Sequence, residues 1–277
     1  MLERIKADAF DIKKVADSGQ CFSIQEIGSN FKVLSADKYC EFIRVEDHFY
    51  LYCEKEDVPY WMTYFGGSVP YDRWIASIQS CKYDFLRKCA DYSKGLVILK
   101  QDLWEMIVSF IISQRKSIPA IKTSLNRLRE KYGREVVLDS GYLLSKSYKT
   151  FPTASDLKNV TVEDLSDCGM GYRAKYVVNA VKWWNGLSDN DMSSLISGNY
   201  DIHMNTLKQI SGVGDKVANC ICLFAFNDLD AFPVDVWIQR IKDKGLIPND
   251  LSEFDGYKGF LQQVIFFYVI SHKKEFV

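Results

Sequence analysis

A chain of 277 residues with 47% hydrophobic content can bury a large core, enough for two domains or for one domain with a subdomain. Its formal net charge of −1 excludes a globally basic nucleic-acid binder, so any such role must come from local charge distribution. The longest apolar run near the C-terminus, residues 264–270, is too short to span a bilayer. Residues 1–14 are charged throughout, unlike a secretory leader. Eight cysteines without a regular framework read as reduced thiols of a cytosolic-type compartment.

Through about residue 98, apolar and polar residues alternate in short runs at 31–34, 40–45 and 49–53, the pattern of an antiparallel sheet. Residues 71–90 read as one helix. From Gln101 onward helical spacing dominates, with Leu103, Ile107, Phe110 and Ile111 on one stripe. Glycines and prolines at 133, 152, 169, 171, 186, 198, 212, 214, 233 and 248 then punctuate a series of short helices. The division predicted is a β domain over 1–98 with flanking helices and a helical core over 99–277.

The helical part carries two basic stretches. Arg115, Lys116, Lys122, Arg127, Arg129, Lys131 and Arg134 face the lone acid Glu130, and Arg173, Lys175 and Lys182 follow without any acid between 169 and 184. Such runs are ordinarily solvated helix faces; beside a phosphate-binding turn they become an electrostatic footprint for DNA.

That turn is Ser211-Gly212-Val213-Gly214-Asp215-Lys216. It reads as a helix closing on a glycine hairpin, with Gly212 and Gly214 free to take positive φ, and a second helix restarting at Asp215. The whole helix-hairpin-helix spans about 203–226. Outward-facing amides at the turn offer a sequence-independent phosphate seat. Lys216 falls in the first turn of the new helix, where the macrodipole and partial burial both lower an ammonium pKa. An amine partly neutral near pH 7 can attack an electrophilic carbon and form a Schiff base. Downstream, Pro233-Val234-Asp235 precedes the apolar run at 236–238, the signature of a helix N-cap. A carboxylate held there could stabilise an oxocarbenium or shuttle a proton.

The hairpin with Lys216, together with Pro233-Val234-Asp235, resembles the helix-hairpin-helix, Gly/Pro-Asp signature of base-excision DNA glycosylases in their lysine-bearing, bifunctional branch. Further matches resemble the 8-oxoguanine DNA glycosylase/AP lyase family, and they run from about residue 10 to residue 266. They are Ser18-Gly19-Gln20-Cys21-Phe22 for the base-pocket loop, Phe151-Pro152 ahead of a helix, Gly169-Met170-Gly171-Tyr172-Arg173 for the DNA wedge, and Gln262 to Phe266 for the second pocket wall.

The resemblance implies an α+β chain: a TBP-like antiparallel sheet domain followed by an all-helical glycosylase core, with the active site in the cleft between them. It implies extrusion of 8-oxoguanine from duplex DNA, a Schiff base on Lys216, and strand nicking by β-elimination with Asp235 assisting. It assigns base contacts to Gly19, Cys220, Gln262 and Phe266, and DNA contacts to Gln114, Arg115, Lys116, Tyr172, Arg173, Gly212 and Gly214. From the residues alone, Phe266 reads equally well as a core aromatic, and Cys220, one turn beyond Lys216, as a small core residue.

No cofactor is expected, although a monovalent or divalent cation at the hairpin could bridge to phosphate. No iron-sulfur cluster is expected either, because no cysteine follows Cys222. With His48, His203 and His272 scattered along the chain, no metal site is expected. The expected partner is double-stranded DNA carrying oxidised guanine, met by a cytoplasmic monomer.

Three positions depart from the family's eukaryotic members. Arg115 stands for an asparagine, Ala120 for an arginine that reads the opposite cytosine, and Trp237 for a histidine. The first two imply relaxed opposite-base selectivity. Two alternatives share some of these features. An alkylpurine glycosylase would use the hairpin and the aspartate but has no need of Lys216. A non-enzymatic helix-hairpin-helix module would use the glycines and leave Asp235 as a cap.

Overall fold

The computed structural model describes residues 2–7 and 9–276. Five strands, β1 (Leu2–Lys6), β2 (Ile24–Ile27), β3 (Asn30–Ser35), β4 (Lys38–Val45) and β5 (His48–Glu54), form an antiparallel sheet in the order β1-β5-β4-β3-β2. The three central strands are those expected from alternation, each extended by one or two residues. Phe42 sits between Phe31 and Leu51 in register, and with Val33, Cys40 and Cys53 it makes the apolar face. The edge strands β1 and β2 mix charged and apolar residues, which hid them from the sequence reading.

Helix α1 (Ile12–Asp17) joins β1 to β2, and α2 (Val58–Tyr64), α3 (Tyr71–Ser80) and α4 (Asp84–Tyr92) follow the sheet. The single helix expected over 71–90 is thus two. The backbone turns extended at Cys81, and the Arg87 guanidinium satisfies the Cys81 carbonyl released there, so α3 and α4 fold against each other.

The helical part comprises α5 (Leu103–Ser113), α6 (Ile118–Tyr132), α7 (Val162–Asp167), α8 (Ala174–Asn185), α9 (Asp189–Ser197), α10 (Tyr200–Leu207), α11 (Asp215–Ile221), α12 (Val236–Asp243) and α13 (Lys258–Ser271), with one short hairpin of β6 (Glu135–Val137) and β7 (Ser147–Lys149). Phe151-Pro152 leads into a run of turns at 154–159 rather than the helix expected, and helix resumes only at Val162. The Asp156 carboxylate takes the Thr153 amide and closes one local turn that does not propagate.

Helix α5 is apolar on every side and buried from Trp104 to Ile112, so it serves as a central pillar for α6, α8 and α11. Helix α13, also largely buried, packs against α4 and α12 and so returns to the sheet half. Among the described residues no helix is long and apolar enough to cross a membrane.

Candidate active site

The hairpin between α10 and α11 forms as the glycines require, but only one of them is left-handed. Gly212 has φ +90°, and a Cβ there would lie 2.5 Å from Cγ of Tyr176. Gly214 sits at φ −98° as the N-cap of α11, with open space where its Cβ would go. The expectation of two positive-φ glycines is corrected to one; the second keeps its surroundings clear.

Lys216 lies in the first turn of α11, half-buried, with Nζ 5.4 Å from the centroid of the Phe110 ring on α5. Asp235 caps α12, its Oδ1 accepting from the amides of Trp237 at 3.0 Å and Ile238 at 2.9 Å. Burial raises its carboxyl above the ordinary aspartate value, opposed by the Ile238 amide, by the positive charge of Lys216 and by the Trp237 amide. Cys220, one turn past Lys216, is held as a thiol by burial, against the opposing pull of Lys216.

These side chains line one cavity with Gly19, Phe110, Pro233, Gln262, Gln263 and Phe266. Gly19 takes φ +77°, and a Cβ there would stand 3.0 Å from Cε1 of Phe266. Three buried amides to which the sequence reading gave no individual role shape its loop. Gln20 donates to Val97 O and accepts from Leu99 N, Gln101 donates to Gln20 O, and Gln263 donates to Ser18 O at 2.6 Å. A Gln-rich set around a glycine turn was the signal available.

Gln262 is 4% exposed and donates Nε2 to Pro233 O at 3.1 Å, which fixes the orientation of its amide. Its Oε1 is buried with no partner among the described residues. A stranded acceptor of this kind costs about 1–3 kcal/mol unless a donor is supplied from outside.

The inner cavity has about 40 Å³ of free space, well below the ~300 Å³ at which ordinary ligand sites begin. It opens past Trp237, Ile118 and Lys273 into a cleft of about 600 Å³. Phe266 lines both and is half-buried between fully buried neighbours, so it belongs to the cavity wall.

The expected DNA contacts divide into two sets. Tyr172 is 53% exposed, and Arg115 is exposed at φ +50°, a conformation L residues rarely adopt. Gln114, Lys116 and Arg173 are turned inward. The Gln114 amide donates to Gly212 O at 3.1 Å, tying the end of α5 to the hairpin. Lys116 donates to Ser124 Oγ and Gly169 O, its pKa lowered first by burial and then by Arg173 and Arg127. Arg173, 8% exposed, donates to the carbonyls of Gln114, Arg115 and Met170. In the DNA-free structure the guanidinium is thus engaged by three carbonyls and holds Arg115 in its left-handed turn.

A fold of sheet plus helical core, with a lysine and an aspartate converging at a glycine hairpin, defines a class before it defines a member. The chain belongs to the HhH-GPD superfamily of base excision DNA repair proteins, whose family model matches residues 108–250. The model for the N-terminal domain of 8-oxoguanine DNA glycosylases matches residues 4–107, which fixes the branch.

The chain is similar to a probable N-glycosylase/DNA lyase of Methanothermobacter thermautotrophicus, 31% identical over 54% of this chain and 53% of that protein. It is also similar to the N-glycosylase/DNA lyase of Saccharomyces cerevisiae, 32% identical over 53% of this chain and 41% of that protein. The matched region thus spans about half the length of these curated relatives. Among solved structures, the Clostridium acetobutylicum 8-oxoguanine glycosylase/lyase, in complex with double-stranded DNA containing cytosine opposite 8-oxoguanine, superposes with a TM-score of 0.85. The two are 29% identical, over 99% of this chain and 98% of that one.

Proposed function

We propose that the protein flips 8-oxoguanine out of duplex DNA, excises it through a Schiff base on Lys216, and then nicks the strand by β-elimination. The observation that carries this is the convergence of Lys216 and Asp235 on one cavity whose wall includes Gly19, Gln262 and Phe266. A glycosidic carbon inside stacked DNA is unreachable, so the nucleotide is extruded at a cost of a few kcal/mol. The exposed Tyr172 and the turned-out Arg115 suit the gap left behind.

In the chemical step the Lys216 nitrogen lone pair forms a bond to the sugar C1′ while the bond to the base breaks, its electron pair leaving with the base. Ring opening gives the imine. Loss of a C2′ proton then expels the 3′-phosphate. Asp235 stabilises the positive charge that develops and carries protons between these steps.

Oxidation converts guanine N7 into an N–H donor, for which the carbonyl of Gly19 is the intended acceptor, and the stranded Oε1 of Gln262 suits a donor on the Watson-Crick edge. The tight inner cavity requires Phe266 to separate from Gly19 as the base enters, after which its ring stacks on the base. Cys220 closes the opposite side. No cofactor takes part in these steps, and a monovalent or divalent cation at the hairpin would serve to bridge to phosphate. Eight buried free cysteines support a reducing, cytoplasmic compartment, where the monomer would act on double-stranded DNA.

An alkylpurine glycosylase has no use for an amine at Lys216, and a non-enzymatic hairpin module has no use for the stranded amide of Gln262. Borohydride trapping on a duplex with a single 8-oxoguanine tests the reading. Wild type should give a protein-DNA adduct and Lys216→Gln none; an adduct that survives the substitution overturns it.

Because Ala120 offers no hydrogen-bonding side chain to an opposing base, single-turnover excision rates should agree within about tenfold, or 1.4 kcal/mol, across the four opposing bases. A much steeper preference for cytosine refutes this part.

A further inference from the structure

Behind the hairpin, three residues that the sequence scatters come together. His203 on α10, Cys222 just past the end of α11 and Asp228 a few residues on place their donor atoms within 4.8 Å of one another. His203 Nδ1 lies 2.6 Å from Asp228 Oδ2, and the imidazole stacks on Phe226 with centroids 3.7 Å apart. His203 and Cys222 are buried and Asp228 is mostly so. Two residues along a helix from Cys220, the Cys222 side chain lies on the opposite side of α11 from the catalytic cavity.

We infer that His203, Cys222 and Asp228 form a binding site for a borderline-soft divalent cation of the zinc class, separate from the excision site and independent of its chemistry. The donor set is the argument. A thiolate and an imidazole select zinc-like ions over magnesium or calcium, and three protein ligands leave a fourth position for water. Charge agrees with this. A thiolate and a carboxylate carry two negative charges, which a divalent ion neutralises where burial would otherwise penalise them.

Without an ion, burial and the neighbouring Asp228 push the Cys222 thiol well above its ordinary pKa, and His203 Nε2 is buried with no partner among the described residues. On binding, the Cys222 thiol gives up its proton to solvent, and ligation through Nδ1 places the imidazole N–H on Nε2. The thiol thus releases one proton per ion. The ion would tie α10 to the end of α11, the two helices that hold the hairpin, and so would brace the element that carries Lys216.

Titration of the purified protein with cobalt(II) as the probe tests this. Wild type should bind one equivalent with a near-ultraviolet thiolate-to-cobalt absorption, release about one proton, and melt at higher temperature in the presence of the ion. Cys222→Ser should lose the absorption while Cys220→Ser keeps it. Asp228→Asn should weaken binding by more than about tenfold, the low end of what outer-shell changes alone produce. Lack of a saturable thiolate band in folded wild type, or its persistence in Cys222→Ser, overturns the site. If Cys222→Ser does not fold, unchanged affinity in Asp228→Asn overturns it instead.

Discussion

Asp235 serves two purposes with one carboxylate, and the two separate on substitution. Its Oδ1 caps α12 while burial holds its pKa above the ordinary value. The folded chain therefore keeps that proton more tightly than the unfolded chain, and stability falls as pH rises from the ordinary aspartate pKa to the raised one. Catalysis that needs the carboxylate rises across the same window. Asp235→Asn keeps an oxygen for the cap and removes the buried charge. It should melt at or above the wild-type temperature while excision drops by about 10²–10⁴-fold; calorimetry and single-turnover assays check the two halves. Arg173 adds what the motif could not give. A basic residue in a wedge-like motif reads as a DNA contact, and in the DNA-free fold its donors are held by three carbonyls. Spacing along the chain names the residue type and is silent on which way a long side chain turns.

At the scale of elements, the hairpin was the most legible part. Glycine at 212 answers to both φ +90° and the Tyr176 ring, and the helix restart at Asp215 was readable from the pattern. Gly212→Ala should therefore destabilise the fold by about 1–3 kcal/mol from backbone strain alone, with the clash added. Gly214→Ala meets no neighbour at its Cβ and should lower the denaturant midpoint only slightly, by the roughly 0.5–1 kcal/mol that alanine costs relative to glycine at an N-cap. Strands β3 and β5 were legible because each alternates over one buried face, and β4, buried on both faces from Tyr39 to Ile43, because its run is largely apolar. Where neither signal is present the reading fails. Polar edge strands show little alternation, and the break between α3 and α4 depends on the Arg87 contact with Cys81, a choice made by tertiary packing.

Across the whole molecule, the two halves are joined by buried polar contacts. Glu105 on α5 accepts from Arg129 on α6 and from Ser23 at 2.5 Å and the Ala36 amide at 2.9 Å in the sheet half. Glu41 on β4 accepts from the Leu143 and Leu144 amides, and Tyr39 packs on Tyr142 and Tyr148, so the 138–148 segment covers the second face of the sheet. Arg129→Met would strand the Glu105 carboxylate and should cost about 3–5 kcal/mol, read as a lowered urea midpoint with unchanged slope.

The cavity that Lys216 and Asp235 share depends on this joining, because its walls come from α5, α11, α13, the Pro233 and Asp235 turn ahead of α12 and the Gly19 loop. Local chemistry, namely the glycine hairpin with its lysine, the capping aspartate and the alternating strands, is written in neighbouring residues and could be read from them, since it depends on φ, on caps and on periodicity. The set of Gln20, Gln101 and Gln263 that shapes Gly19, the inward turn of Arg173, and the meeting of His203 with Cys222 and Asp228 join residues far apart in the chain or depend on which way a side chain turns. They exist only once packing has chosen which faces meet.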